Sequence, residues 1–279
     1  MILVDNSQLL IASIFRNMKS NPVMDTDFIR HLVFNSYRFI NKKFGNRYGK
    51  IVVCNDAGPS WRKNKFPYYK QNRKRKQQTS GVNWTEIYEN MSIVRSEILD
   101  VLPYKNIRIA GAEADDVIAV LAKHHHQTES VLIISNDNDF QQLQIYPEVE
   151  QYSTIKKDFV RCQSPKQYLL DHILEGDPGD GIPNILSDDD TFMTEGKRQN
   201  RLTRQKRKEI LENLGSITGT EWTDNWTRNK TLIDLSQIPD DLESQILEAY
   251  SQPVQTKISL LDYMISHKLN NLLESVGDF

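Results

Sequence analysis

The chain reads as an α/β protein: a central, mostly parallel sheet flanked by helices, followed by a smaller helical domain. Three features predict this. Wholly apolar runs of strand length recur in the first half, at Ile2-Leu3-Val4, Ile51-Val52-Val53-Cys54 and Val131-Leu132-Ile133-Ile134. Segments with helical spacing lie between them, and β-then-α alternation implies parallel strands joined by right-handed crossovers. Past about residue 160 the strand-like runs stop and helical spacing takes over.

Each element follows from its local pattern. The first strand covers residues 2–5. Asp27 to Phe44 sets Phe28, Leu32, Tyr37 and Phe39 among polar neighbours at roughly helical spacing, and Ile51 to Cys54 returns as a strand. Trp84 to Leu102 is a helix with Ile87, Met91, Val94, Ile98 and Val101 on one face, ended by Pro103. Ile107-Arg108-Ile109 reads as a short strand, Glu113 to Lys123 as a helix, and Val131 to Ser135 as a fully buried strand. In the second half, Pro165 lies near a helix N-terminus, and Gly176-Asp177-Pro178-Gly179-Asp180-Gly181-Ile182-Pro183 separates two helices.

The 279 residues suffice for one large domain with a smaller partner. A net charge of -2 conceals strong segregation. Acidic residues gather at strand ends, whereas Arg62 to Lys76 holds eight Lys or Arg in fifteen positions and Lys197 to Lys208 holds seven in twelve. An acidic centre with basic arms suits an enzyme that cuts a polyanion. Only Cys54 and Cys162 are present, without CxxC spacing, which excludes a disulfide framework and a zinc site. No apolar run approaches the ~20 residues that span a bilayer, and the N-terminus enters Ile2-Leu3-Val4 without a basic leader. A soluble, cytoplasmic, monomeric protein without membrane contact is expected.

Nine carboxylates fall in five short segments: Asp5; Asp56; Glu113, Asp115 and Asp116; Asp137 and Asp139; Asp177 and Asp180. In an open parallel sheet, groups leaving the carboxyl ends of several strands converge in one crevice. Crowded carboxylates raise one another's pKa, and hard divalent cations relieve this. Taken singly, Asp5-Asn6-Ser7 reads as a helix cap and Asp56-Ala57-Gly58-Pro59 equally well as a turn. Asp137 and Asp139, two apart just beyond an apolar strand, have no evident structural need, and Glu113 with Asp115 and Asp116 crowds like charges on a helix. The combination favours metal.

The first basic run is interleaved with Trp61, Phe66, Tyr68 and Tyr69, a mixture that offers stacking surfaces to unpaired bases and cations to phosphates. The second run lacks aromatics; it is either a set of backbone-phosphate contacts, Lys206 among them, or a disordered loop. His124-His125-His126 ends the Glu113 helix and reads as structural or surface residues rather than ligands.

Taken in order, Asp5, Asp56, Glu113-Ala114-Asp115-Asp116, Asp137-Asn138-Asp139 and Gly176-Asp177-Pro178-Gly179-Asp180 resemble the motifs of the 5′-nuclease, or flap endonuclease, superfamily. Trp61-Arg62, Tyr68-Tyr69-Lys70-Gln71-Asn72-Arg73 and the Leu232-Ile233-Asp234 and Ile238-Pro239-Asp240 stretches are similar to its T-even phage ribonuclease H branch. The resemblance implies a catalytic domain at 1–160 with a basic arch at about 60–90, and a DNA-binding domain at 161–279 with a helix-hairpin-helix element at about 168–212. It implies two Mg²⁺, replaceable by Mn²⁺: Asp5, Asp56, Glu113 and Asp115 hold the first, and Asp116, Asp137, Asp139, Asp177 and Asp180 surround the second.

By the same resemblance, Lys70 and Arg73 face the scissile phosphate, Tyr69 and Tyr68 stack on a base, and Arg62 touches a phosphate. Gly179, Gly181 and Ile182 lie near duplex phosphate, with a monovalent cation at the hairpin. The implied activity is 5′ to 3′ exonuclease, flap endonuclease and RNase H cleavage, removing RNA primers and 5′ flaps in phage-type lagging-strand replication. The substrates implied are branched or nicked DNA and RNA/DNA hybrid, and the protein partners a single-strand DNA-binding protein or a sliding clamp. A haloacid-dehalogenase-type phosphatase would need Asp where Ser7 stands. The alternatives are a PIN-type single-strand ribonuclease and a non-catalytic branched-DNA binding module.

Overall fold

The computed structural model describes residues 1–18, 25–213 and 222–279. In chain order the elements are β1 (Ile2–Asp5), α1 (Asn6–Met18), α2 (Thr26–Tyr48), β2 (Ile51–Cys54), α3 (Arg62–Lys65), α4 (Gln71–Thr79), α5 (Trp84–Val101), β3 (Lys105–Ile107), α6 (Ala114–His125), β4 (Val131–Ile134), β5 (Val149–Ser153), β6 (Asp158–Val160), α7 (Pro165–Glu175), α8 (Arg204–Glu212), α9 (Thr223–Ile233), α10 (Asp240–Ser251), α11 (Leu260–Ser266) and α12 (Asn270–Leu273). The residues form two compact units: Met1–Gly58 with Asn83–Arg161 and Asp240–Phe279, and Pro59–Val82 with Cys162–Pro239.

The first unit holds a six-stranded sheet in the order β3-β2-β1-β4-β5-β6. Only β6 runs antiparallel, against β5. Every residue of β1, β2 and β4 is buried, which is why these strands read as unbroken apolar runs rather than alternations. From β1 the chain crosses to β2 on one side, and β4 later pairs with β1 on the other. The strand order therefore reverses at β1, and the crevice at a reversal is where such sheets collect ligands.

Several expectations are corrected. The strand expected at Ile107-Arg108-Ile109 lies two residues earlier, because β3 pairs Lys105 with Val52 and Ile107 with Cys54, after which the chain leaves the sheet. Strands β5 and β6 have no clear signal in the sequence, since Val149-Glu150-Gln151-Tyr152-Ser153 mixes polar residues into a nearly buried strand. In α2 the buried stripe is Ile29, Val33, Phe34, Tyr37, Ile40 and Phe44, while Phe39 is 48 % exposed. In α5 the expected face is the buried one.

The units also differ from a single boundary at 160. Residues 240–279 join the first because Lys123 and His124 bind Glu243, Lys105 binds the Gln252 carbonyl and Arg38 binds Asp278. The His124 contact, with His126 stacked on Tyr146, makes the histidine run structural. Residues 59–82 join the second unit because Arg62 Nε donates to the Leu232 carbonyl at 2.9 Å and the Lys70 amide to the Asp180 carbonyl at 2.7 Å.

In the second unit α7 stops at Gly176, whose φ is 70°. The chain then folds back through an antiparallel bridge between Asp177 and Ile182. A Cβ on Gly176 would lie 2.4 Å from the Ile182 carbonyl oxygen, so no side chain fits. Gly176→Ala is expected to cost about 3 kcal/mol, the sum of backbone strain and overpacking, read as a lower urea midpoint. A midpoint within error of the parent would show that this turn is not held as described.

Candidate metal centre and nucleic-acid interface

The carboxylate centre is built at the carboxyl ends of the central strands. Asp5 closes β1 and is nearly buried. Its Oδ1 accepts the Gln8 amide at 3.1 Å and its Oδ2 the Ser135 hydroxyl at 3.2 Å. The Asp5 cap on α1 is therefore real, and the same carboxylate also belongs to the cluster. Asp56, two residues past β2, accepts the Ser7 hydroxyl at 2.5 Å and the Ala114 amide at 2.9 Å. Asp137 accepts the Asp139 amide at 3.0 Å, while its own amide donates to Ser135 Oγ at 3.1 Å.

Two structural needs that the sequence concealed appear here. Asp137 caps a 3-10 turn at 138–145, so the Asp137/Asp139 pair does have a structural role. Glu113 and Asp116 form a capping box at the start of α6, with Asp116 Oδ2 accepting the Glu113 amide at 2.8 Å. Carboxylates at a helix N-terminus are favoured by the helix dipole, so their crowding does not weaken α6. Asp115 remains half-buried between them.

Burial, then the negative charges of Asp56 and Asp137, push the Asp5 carboxyl up to about 7, against the opposing Gln8 and Ser135 hydrogen bonds. The folded state therefore holds this proton more tightly than the unfolded chain, whose carboxyl titrates near 3.8. Stability from Asp5 is present at low pH and is lost as pH rises from about 4 to about 7, at ~1.4 kcal/mol per pKa unit. In EDTA the melting temperature is expected to fall across that window, and Asp5→Asn should flatten the fall. An unchanged slope in the variant would refute this origin.

Sequence reasoning missed several partners. Ser7, Gln8 and Ser135 aim the carboxylates; Ser7 and Ser135 lie in segments that the sequence singles out, but nothing there marks them as partners of a carboxylate. Arg95, on α5, donates from Nη2 to Ser7 Oγ at 3.2 Å, and Arg108 donates to the Asp56 carbonyl at 3.3 Å. Beneath them Tyr37 donates to Asn6, Asn6 to Asn55 and Asn55 to Asn106, a buried chain that ties the ends of β1, β2 and β3 together. No local signal marks these residues, because strands and helices far apart in sequence bring them together.

The basic side lies in the second unit. On α4, Lys74, Arg75 and Lys76 are exposed. Lys70 has a left-handed backbone, φ 58°, and its Nζ lies 3.6 Å from Asp180 Oδ2 and 4.9 Å from the Tyr69 ring centre. Arg73 also pairs with Asp180 and donates to the Gly179 carbonyl at 3.4 Å. Asp180, expected beside a metal, thus holds the two cations expected to face phosphate. Burial and Asp180 hold the Asp177 carboxyl above its usual range.

Other expectations shift for reasons of packing. Tyr69 sits in a hydrophobic cluster with Phe66, Ile173, Ile182, Leu232 and Ile233, so it does not present its ring to a base; Tyr68 is only partly buried against the same cluster. Arg62 is buried, on the Leu232 carbonyl and over Trp61, and does not offer itself to phosphate. Ile182 is likewise core. In the hairpin the amides of Gly179 and Asp180 donate to Asp177 Oδ1 at 2.7 and 3.3 Å, and the Ile182 amide to the Asp177 carbonyl, so these three amides are already engaged. Gly181, φ 78°, is needed because a Cβ there would press on Tyr68 and Asn72.

The second basic run is mostly neutralised. Lys197 pairs with Asp188 and Asp190, Lys206 with Glu209, Arg207 with Asp171 and Glu175, and Lys208 with Glu212. Residues 186–203 form turns and irregular chain, so the helix that follows the hairpin begins only at Arg204.

Comparisons with known proteins converge on one family. Residues 1–168 match the 5′-3′ exonuclease, N-terminal resolvase-like domain, and residues 163–279 match the T4 RNase H C-terminal family. The chain is 31 % identical over 294 residues to the ribonuclease H of Enterobacteria phage T4, covering 99 % of this chain and 95 % of that one. It is 29 % identical to the flap endonuclease Xni of Shewanella sp. strain MR-4, over 70 % of this chain and 74 % of the relative. In fold it is similar to a bacteriophage T5 protein co-crystallised with metal ions, with a TM-score of 0.63, 19 % identity and coverage of 89 % and 98 %. It is equally similar to a T5 flap endonuclease in a pseudo-enzyme–product complex with DNA and metal ions, with a TM-score of 0.63, 19 % identity and coverage of 90 % and 99 %. With both halves matched in order, the chain belongs to the 5′-3′ exonuclease family and carries a C-terminal domain of the T4 RNase H type.

Proposed function

We propose that the protein is a divalent-metal-dependent 5′ nuclease that removes RNA primers and 5′ flaps during phage-type DNA replication. The observation that carries this reading is the gathering of Asp5, Asp56 and Asp137 at the carboxyl ends of parallel strands, close enough for the last two to raise the buried Asp5 carboxyl. An all-oxygen set of crowded carboxylates fits hard cations such as Mg²⁺. Asp5, Asp56, Glu113 and Asp115 would hold one ion, and Asp116, Asp137 and Asp139 would attend a second. Bound ions of this kind polarise the phosphate and lower the pKa of a coordinated water.

The chain's own residues supply the rest. Gln8, Ser135, Ser7 and the Ala114 amide fix the carboxylate rotamers, so little reorganisation is needed when charge develops. Lys70 and Arg73, steadied by Asp180, offer positive charge to a substrate phosphate, and the exposed cations of α4 attract the nucleic-acid backbone without reading its sequence. Asp177 Oδ1 accepts the Gly179 and Asp180 amides and so organises the hairpin.

The test is cleavage of a 5′-labelled duplex carrying a 5′ flap, beside an RNA/DNA hybrid and a plain single strand, in Mg²⁺ and in EDTA. Mg²⁺-dependent release of short products from the 5′ end of flap or hybrid is expected. Binding without cutting would leave a non-catalytic module, and cutting of single-stranded RNA alone would leave a PIN-type ribonuclease.

A further inference from the structure

The carboxylate centre contains a cation that the proposed chemistry leaves unused. Arg95 extends from α5, whose neighbouring Val94 and Ile98 are core residues. Its Nη2 donates to Ser7 Oγ at 3.2 Å, and Ser7 donates to Asp56 Oδ2 at 2.5 Å. Among the described residues no carboxylate lies within ion-pair distance of Arg95, and its Nε is buried without a hydrogen-bond partner. A partly desolvated guanidinium in that situation is costly unless a nearby field compensates it.

Burial lowers the guanidinium from its ordinary value, and Arg108 adds to that; Asp56 is the leading influence in the opposite direction. The charge is thus held in place by the carboxylate centre and not by a partner of its own. A hydrophobic side chain at this half-buried position would avoid the cost, so the charge itself needs an explanation.

We infer that Arg95 is the resident counter-charge of the carboxylate centre: it offsets Asp56 and its neighbours while no divalent cation is bound, and opposes that cation when it binds. The inference rests on the metal reading above. Any group that stabilises the metal-free fold more than the loaded one must weaken metal affinity by the same factor. Removing the charge should therefore destabilise the metal-free protein and tighten cation binding, by about tenfold for a unit charge several ångströms away in a partly solvated site.

Arg95→Gln drops the charge and keeps an amide donor for Ser7, while Arg95→Lys keeps the charge. Melting temperature in EDTA and calorimetric titration with Mn²⁺ are measured on both and on the parent. Arg95→Gln is expected to melt lower in EDTA, to bind Mn²⁺ about tenfold tighter and to recover parental melting at saturating metal, whereas Arg95→Lys should behave like the parent. If Arg95→Gln is unfolded in EDTA, recovery of its fold by metal supports the inference and failure to recover overturns it. An equal melting loss with and without metal, or unchanged or weaker Mn²⁺ binding, would reduce Arg95 to a packing residue. A parent that binds no Mn²⁺ would overturn the metal reading itself.

Discussion

Asp137→Asn is expected to lower flap cleavage by more than ~100-fold while leaving DNA binding intact, since even residues one step removed from a metal commonly cost 10- to 100-fold. The substitution is close to isosteric. An Asn oxygen still accepts the Asp139 amide that Asp137 accepts at 3.0 Å, so the 3-10 turn keeps its cap. What changes is charge: one of the groups that raise the Asp5 carboxyl disappears, and the metal-free protein should melt slightly higher at neutral pH. Binding should hold or tighten, because a negative charge facing phosphate has been removed. Cleavage at the parental rate would refute the assignment of Asp137 to a metal. Loss of binding together with cleavage would point instead to a collapsed turn.

Lys70→Ala should reduce turnover by ~100-fold or more, the range for removing one positioned donor from a developing charge, with a much smaller change in affinity. Lys70 is held by its left-handed backbone, by the Lys70 amide bond to the Asp180 carbonyl and by Nζ between Asp180 and the Tyr69 ring. Such a fixed charge acts on the transition state more than on binding. Lys206 differs, because its charge is shared between Glu209 at 3.2 Å and the Trp222 ring. Lys206→Ala should alter only the salt dependence of binding. Kinetics on a flap substrate at two salt concentrations separate the cases, and equal turnover losses would end this division of roles.

Much of the candidate site is legible in the sequence because strand-terminal carboxylates follow apolar runs that need no context to recognise. Asp5, Asp56 and Asp137 stand out this way, and the fold puts them at neighbouring strand ends. Their capping duties are legible only for Asp5, where Asn6 and Ser7 announce a helix start. The basic runs mislead in part, since composition cannot tell a cation paired with a carboxylate from one free to meet phosphate. Lys197, Arg207 and Lys208 find acidic partners. Arg62 and Tyr69 turn inward, the first onto the Leu232 carbonyl and the second into the hydrophobic cluster that Leu232 and Ile233 complete.

The sequence by itself determined the α/β class, the central strands, the α5 face and the family, because unbroken apolar runs, helical spacing and ordered acidic motifs are local properties of the chain. Tertiary structure alone decided that residues 59–82 pack with 162–239 and that 240–279 returns to the sheet-bearing unit. It also decided that Asp180 restrains Lys70 and Arg73, and that Arg95 reaches Asp56 through Ser7. The physical reason is the same in each case: these are interactions between residues distant in the chain, whose energies depend on burial and on neighbours that no local pattern records.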